Sequence, residues 1–334
     1  MNLNEAIKIA SPALGSGTMP ILSCYRLHGE GDRLKVTASN INIQISAYAD
    51  LPTDLDCCVD GKRLAATAAK FKEPSLVLSD MTLTVSSGRS KAKLATLDPT
   101  NYPDASNVDS GAVEAPAGMI EAIGRVAFCS GVNDVRPYLN GVLVEITPDG
   151  SNAVATDGHR MAWCSVAGGE TEAAAILPIG AVSAIAGKTD RLTVGRVLVA
   201  TGEGVEIVAK PIDGKYPHWR KVIRKGEKRT TFNRQAAIDA LDQVRVVGDG
   251  RGLGVTLQID EHGVTLEACT PSDSAQALID ATGVADSVSV NAAYLRDALA
   301  ALQCETVELL HDGADHPIYA TDGDLHVIIM PMRV

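Results

Sequence analysis

Aromatic residues make up only 4% of the chain, so any core must be filled by Ala, Val, Leu and Ile. The supply is adequate: hydrophobic residues reach 46% against 21% charged, a balance that excludes intrinsic disorder and predicts folded cores. Long apolar runs are missing. No stretch approaches the ~18 residues of a membrane span, and the opening MNLNEAIKIASPAL lacks the basic flank and apolar run of a secretion signal. A cytoplasmic protein with no membrane partner is the expectation. The seven cysteines are scattered, with no CxxC pair and no zinc spacing, which predicts reduced, mostly buried thiols. The seven histidines form no HxxxH or HxH pattern, and GxSxG, P-loop and dinucleotide-binding fingerprints are absent. GSGTMP, Gly15 to Pro20, has glycines but not the Lys-Ser/Thr that a phosphate cradle uses. These absences predict no cofactor, no metal and no catalytic residue. Positive charge is also short: 30 Lys and Arg against 41 Asp and Glu give a net charge of −11. That excludes a protein that coats nucleic acid tightly through many phosphate contacts, while leaving room for light contact on one surface.

What is present is a long-period repeat. Glu5-Ala6-Ile7, Glu121-Ala122-Ile123 and Asp239-Ala240-Leu241 recur at intervals of roughly 115 residues. Strand-like pieces ending near Ala38, Ala155 and Ala268 follow the same period, as do Val59, Leu177 and Val290, each leading into a helical stretch. Three markers in the same order predict three similar domains, 1–112, 113–227 and 228–334, each of ordinary domain size. Within a unit the order reads helix, strands, helix, strands. Leu64, Ala68 and Phe71 share one helical face while Arg63 and Lys70 share another. Asn291 is placed to cap a helix whose Leu295, Ala298, Leu299 and Leu302 form an apolar stripe, with Arg296 off it. INIQISAYA and GVLVEI alternate as half-buried strands. Helices packed on antiparallel sheets give an α+β class.

Two motifs stand out. VATDGHRMAW, Val154 to Trp163, puts an acid, an imidazole and a guanidinium around Asp157-Gly158, the dipeptide of a tight hairpin. A structural turn is the simpler reading. A hydrolase using Asp157 and His159, with Asp322 from the similar ATDGD turn, is the alternative, although no nucleophile or third ligand is evident. The ending HVIIMPMRV is strand-like up to Pro331, which has no amide for a ladder. Met330 and Met332 then either tuck into a core or line a groove for another protein's side chains.

RPYLNGVLVEI (Arg136 to Ile146), VATDGHRMAW, PIDGKYPHWRKV (Pro211 to Val222) and the terminal MPMR together resemble the bacterial sliding clamp family, the beta subunits of DNA polymerase III. MPIL at Met19 to Leu22 is similar to an early strand of the family's first domain, and GRSKAKLATLDPTNYP to the end of that domain. The resemblance implies three similar clamp-type domains per chain and a head-to-tail homodimer closing into a six-domain ring. Helices would line its hole. It implies a non-catalytic processivity factor that encircles double-stranded DNA nonspecifically. The partners implied are the DNA polymerase III alpha subunit, the clamp loader and other proteins carrying clamp-binding motifs. A clamp-fold peptide-binding scaffold or specialised paralogue remains an alternative.

The residues implied follow from the matching motifs. A peptide groove would use Leu139, Thr156, Gly158, His159, Arg160, Met161, Pro217, Lys221, Val222, Ile328, Met330, Pro331, Met332 and Arg333. Its aliphatic members and methionines would take Leu or Phe anchors, with His159, Arg160 and Arg333 as polar rim. DNA contacts would come from Arg63, Lys70, Arg125, Asn133 and Tyr138, and the dimer contact from Tyr102, Ser272 and Ala275. Lys221 stands where the family usually has Arg, losing a bidentate fork, and Pro137 replaces an expected aromatic. SDSAQAL is less acidic than that dimer edge usually is, which shifts the expectation toward strand pairing.

Overall fold

The computed structural model describes residues 1–15, 19–103, 105, 111–248 and 252–333. Residues 16–18 of the GSGTMP segment lie outside that set, as does Val334. By internal packing the chain divides into two compact units, one of Met1–Ile120, Ile146–Asp149 and Gly168–Ile212, the other of Glu121–Glu145, Gly150–Ala167 and Asp213–Val334.

In the first unit, antiparallel strands run in the order Ser75–Ser79, Thr82–Ser87, Ser90–Leu97, Asp56–Asp60, Cys24–Glu30, Arg33–Ser39, Ile43–Ala49, Val205–Ala209, Leu198–Gly202, Arg191–Val194. The sheet is continuous across the first and second expected repeats because Ile45 pairs with Ile207. Helix Leu3–Ala10 starts at a capping box, where Asn2 accepts from the Glu5 amide and Glu5 reaches back to the Asn2 amide. Leu3, Ala6, Ile7 and Ala10 form its buried face. Helix Gly61–Ala68 is capped by Asp60 and buries Leu64 and Ala68. The expected stripe stops there: Phe71 lies past the helix end, half-buried, in a final turn closed by its amide on the Thr67 carbonyl, and Pro74 bars continuation. MPIL also differs from expectation. Pro20–Ser23 is a 3₁₀ turn leading into the strand Cys24–Glu30, since Pro20 brings no amide to a ladder.

In the second unit, one antiparallel run is Gly141–Ile146, Ser151–Thr156, Arg160–Val166, Leu325–Ile329, Ile318–Asp322, Thr306–His311, Lys228–Asn233, Ala281–Gly283. A four-stranded sheet follows the order Ser274–Ile279, Gly263–Cys269, Gly254–Asp260, Asp286–Asn291. Helices Arg234–Val244 and Ala292–Ala301 are N-capped by Asn233 and Asn291, and Arg296 of the second forks onto Asp242 of the first at 2.7 and 3.0 Å. Leu295, Ala298, Leu299 and Leu302 are buried as their spacing predicts. At each marker of the repeat the same element recurs: a helix at Ala6, Ala122 and Ala240, and a strand at Ala38, Ala155 and Ala268. All seven cysteines are free; five are buried, Cys269 is exposed and Cys304 half-exposed. Burial pushes the Cys57 and Cys58 thiols up to about 12, which keeps them unreactive.

Candidate functional site

The site grows from one strand pairing in the second unit. Arg160–Val166 lies antiparallel to Leu325–Ile329 with Met161 opposite Ile328 and Trp163 opposite His326. Beyond the last strand, the Met330 amide still donates to the His159 carbonyl at 2.9 Å, so the tail leaves the sheet beside the hairpin. Side chains alternate along a strand, so Met161 and Ile328 meet on the same face as Trp163 and His326.

Two further segments complete the walls. The 3₁₀ turn Pro137–Leu139 supplies Tyr138 and Leu139, its loop closed by the Gly131 amide on the Leu139 carbonyl and by Asn140, which bonds both the amide and the carbonyl of Asp134. The segment before Lys228 is tied beneath the hairpin by the Tyr216 hydroxyl on the Val154 carbonyl at 3.2 Å, and then presents Pro217, Trp219 and Val222. Together these segments enclose a cavity of ≈ 210 Å³, with Leu139, Met161, Trp219 and Ile328 as a buried floor. Val222 and Met330 stay about half exposed at 51% and 44%, an apolar lip open to solvent. Both of the chain's tryptophans belong here: Trp219 packs on Trp163 at 5.8 Å between centroids, and Trp163 stacks on His326 at 4.7 Å. Burial, then the Lys225 charge, lowers the His326 pKa, and its Nδ1 faces the Tyr319 and Thr321 hydroxyls.

The acid, imidazole and guanidinium of the hairpin are committed to its geometry. Asp157 accepts the His159 and Arg160 amides on Oδ1 at 2.9 and 3.0 Å and Arg160 Nε on Oδ2 at 3.1 Å. Arg160 also donates to Asp297 at 2.7 Å and lies 4.3 Å from the centre of the Tyr294 ring, on whose face His159 stacks too. Asp322, the proposed third group of a hydrolase, caps the amides of Gln303 and Cys304. Asp157 is therefore spent on backbone and a guanidinium and Asp322 on backbone, which leaves neither as a free base for His159. Among the described residues no cluster of His, Cys, Asp and Glu is arranged to hold a metal.

Of the expected groove residues, Leu139, Thr156, Gly158, His159, Arg160, Met161, Pro217, Val222, Ile328 and Met330 are brought together around the cavity. Lys221 is exposed next to Val222 but does not line it; Pro331 and Met332 are half-buried beyond it, with the Met332 amide on the Ser289 carbonyl, and Arg333 is exposed. Three lining residues were not expected there. Arg136 is forked onto Asp134, whose carboxyl it holds down to about 2, and donates to the Asp157 carbonyl at 3.1 Å. Trp219 sits within the quoted PIDGKYPHWRKV, and its rarity was the available signal. Tyr138, expected at DNA, also lines the cavity.

Elsewhere, Arg63 and Lys70 are exposed, and Asn133 sits exposed at a loop tip in the left-handed region, φ 56°. Arg125 is half-buried, with its guanidinium directed to Cys164 Sγ and the Asp322 carbonyl. Tyr102 is buried, donating toward the Cys24 and Thr37 carbonyls, so it anchors its loop from within. Ser272 and Ala275 lie just before and within the edge strand Ser274–Ile279, which pairs on one side only among the described residues, with Gly263–Cys269.

Residues 115–218 match the family model for the DNA polymerase III beta subunit, central domain, and residues 220–333 that for its C-terminal domain. A beta sliding clamp of Pseudomonas putida is 26% identical over 352 aligned positions, covering 95% of this chain and 93% of that protein. One of Escherichia coli K12 is 27% identical over 364 positions, covering 98% and 96%. A Pseudomonas aeruginosa sliding clamp solved with griselimycin superposes with a TM-score of 0.90 at 23% identity, over 99% of this chain and 97% of that one.

Proposed function

This chain belongs to the DNA polymerase III beta-subunit family, and on that premise we propose that it works as a ring-forming DNA sliding clamp with a peptide-docking groove. Membership makes it a non-catalytic replication protein of the processivity class. Among the described residues no helix is long and apolar enough to cross a membrane, and we place the protein in the cytoplasm with the replication machinery. Three clamp-type domains, 1–112, 113–227 and 228–334, would assemble head to tail with a second copy. The one-sided strand Ser274–Ile279 is suited to that role, because an edge strand offers a row of unpaired amides and carbonyls.

The observation that carries the reading is the groove. An apolar floor of Leu139, Met161 and Ile328 with a half-exposed lip of Val222 and Met330 suits Leu or Phe anchors from a short motif. Such motifs would belong to the polymerase alpha subunit, the loader and other clamp-binding proteins. Topological retention asks little of the DNA contacts, so a few exposed cations such as Arg63 and Lys70 suffice in a chain of net charge −11. The decisive experiment loads the protein on nicked circular DNA: retention that is lost when the circle is linearised supports the ring, and a protein that never stays on circles refutes it. Removal of residues 330–334 is expected to abolish binding of a Leu/Phe-containing polymerase peptide while the fold survives, and undiminished binding would remove the groove assignment.

A further inference from the structure

The stretch that forms one wall of the groove is also the most basic part of an acidic chain. Between Asp213 and Arg229 there are seven Lys and Arg against two acids. Four of these cations are occupied: Arg220 on Glu145, Lys228 on Asp286, Arg229 on Glu308, and Lys225 over the Tyr319 ring. Lys215, Lys221 and Arg224 are exposed and have no carboxylate partner among the described residues. None of the three lines the cavity itself, but each is held beside it by neighbours in the chain. Lys215 comes next to Gly214, whose α-carbon faces Tyr138, and Lys221 and Arg224 bracket Val222. Across the cavity, the carboxylates of Asp134 and Asp157 are already bound by Arg136 and Arg160. Asp213 is the exposed acid of the same stretch that lies next to the lip. Set against Asp213, the three cations still leave the edge of the groove net positive, while the rest of the chain carries the excess of acid.

We infer that the groove selects peptides whose Leu/Phe anchor is flanked by Asp or Glu, the apolar floor giving affinity and the cationic lip giving selectivity. This rests on the groove reading above. Exposed cation–carboxylate pairs are individually weak and salt-screened, and three acting together correspond to roughly tenfold in affinity at low salt.

The test is fluorescence anisotropy with labelled peptides that share one Leu-Phe anchor and carry Asp/Glu, Ser/Gln or Lys flanks. The expected result is about tenfold tighter binding for acidic over neutral flanks, an advantage lost in high salt. In K215Q/R224Q the advantage should fall to two- or threefold or less, and in K215E/R224E the Lys-flanked peptide should become preferred. Equal affinity for all flanks in the unaltered protein would overturn the inference while leaving the groove in place. No binding of any peptide would remove the groove reading and the inference with it. If K215Q/R224Q keeps the peptide preference and loses duplex-DNA binding instead, the lip serves phosphates and the inference fails.

Discussion

Replacing Arg160, whose side chain is only 10% exposed, by Met keeps the aliphatic stem and deletes the guanidinium. Three losses follow. The bond to Asp157, itself 13% exposed, is a charge-assisted hydrogen bond in a mostly buried setting, worth about 1.5–3 kcal/mol. The bond to Asp297 is partly screened because that carboxylate is 43% exposed, so it contributes under about 1 kcal/mol. Stacking over Tyr294 adds about 0.5–1 kcal/mol. Asp157 is not orphaned, since its Oδ1 keeps the His159 and Arg160 amides. Urea unfolding followed by tryptophan fluorescence is therefore expected to show R160M less stable by about 3 kcal/mol with an unchanged denaturant slope. Double-mutant cycles apportion the loss: coupling of Arg160 to Asp157, measured with D157N, should exceed coupling to Asp297, measured with D297N. A cost below about 0.5 kcal/mol, or the reverse order of couplings, would refute the view that Arg160 braces the hairpin against helix Ala292–Ala301.

His326 should make stability depend on pH. Its folded-state pKa is lowered by burial and then by Lys225, so the unfolded chain binds more protons below about 6.5 and stability falls as pH drops through that value. H326Q should flatten the slope of unfolding free energy between pH 7 and pH 5, and an unchanged slope would assign it to other groups. Gly158 has φ +92°, and a Cβ there would meet the Arg136 guanidinium at 3.1 Å. G158A should cost about 1–2 kcal/mol and displace Arg136 from the Asp157 carbonyl, which a crystal structure of the variant would check; a neutral variant with Arg136 in place would contradict the strain. Trp219 Nε1 is buried without a hydrogen-bond partner among the described residues. W219F should thus lie within about 1 kcal/mol of the parent in urea unfolding, the lost ring volume being offset by removal of an unsatisfied donor, whereas a loss above 3 kcal/mol would mean the N–H is bonded.

Local chemistry explains which parts of this architecture were readable in the sequence. Asp157-Gly158 predicted a hairpin from local turn chemistry, but Thr156 pairs with Met161, so the turn spans Asp157 to Arg160, held by Asp157 Oδ1 on the His159 and Arg160 amides, and is wider than the dipeptide suggested. Asn291 predicted a helix start because capping depends on four residues. The repeat was legible in short pieces recurring in the same order, where a helix now lies at Ala6, Ala122 and Ala240 and a strand at Ala38, Ala155 and Ala268. Arg160 was expected as a rim contact, and its partners Asp297 and Tyr294 lie over 130 residues away, where no local rule reaches. Tyr102 was expected at an edge for the same reason: its burial depends on Cys24 and Thr37, carried by strands far from it in sequence. Trp219 was passed over because its place on the floor is set by Trp163 and the strand beneath. MPIL was matched to a strand by its resemblance to the family's first domain, while Pro20 here requires a turn.

The register between Arg160–Val166 and Leu325–Ile329 bears on how this protein tolerates sequence change. Met161 with Ile328 and Trp163 with His326 share a face only because the two strands are in step. Swapping one apolar residue for another of similar volume leaves that face intact, at a cost usually below ~1.5 kcal/mol. Loss or gain of a single residue in the short turn between Asp322 and Leu325 would shift the last strand by one, bringing the already buried Val327 and Ile329 to the groove face and carrying Ile328 to the opposite side. Homologous chains should therefore vary freely in the identity of the floor residues while keeping the length of that turn fixed.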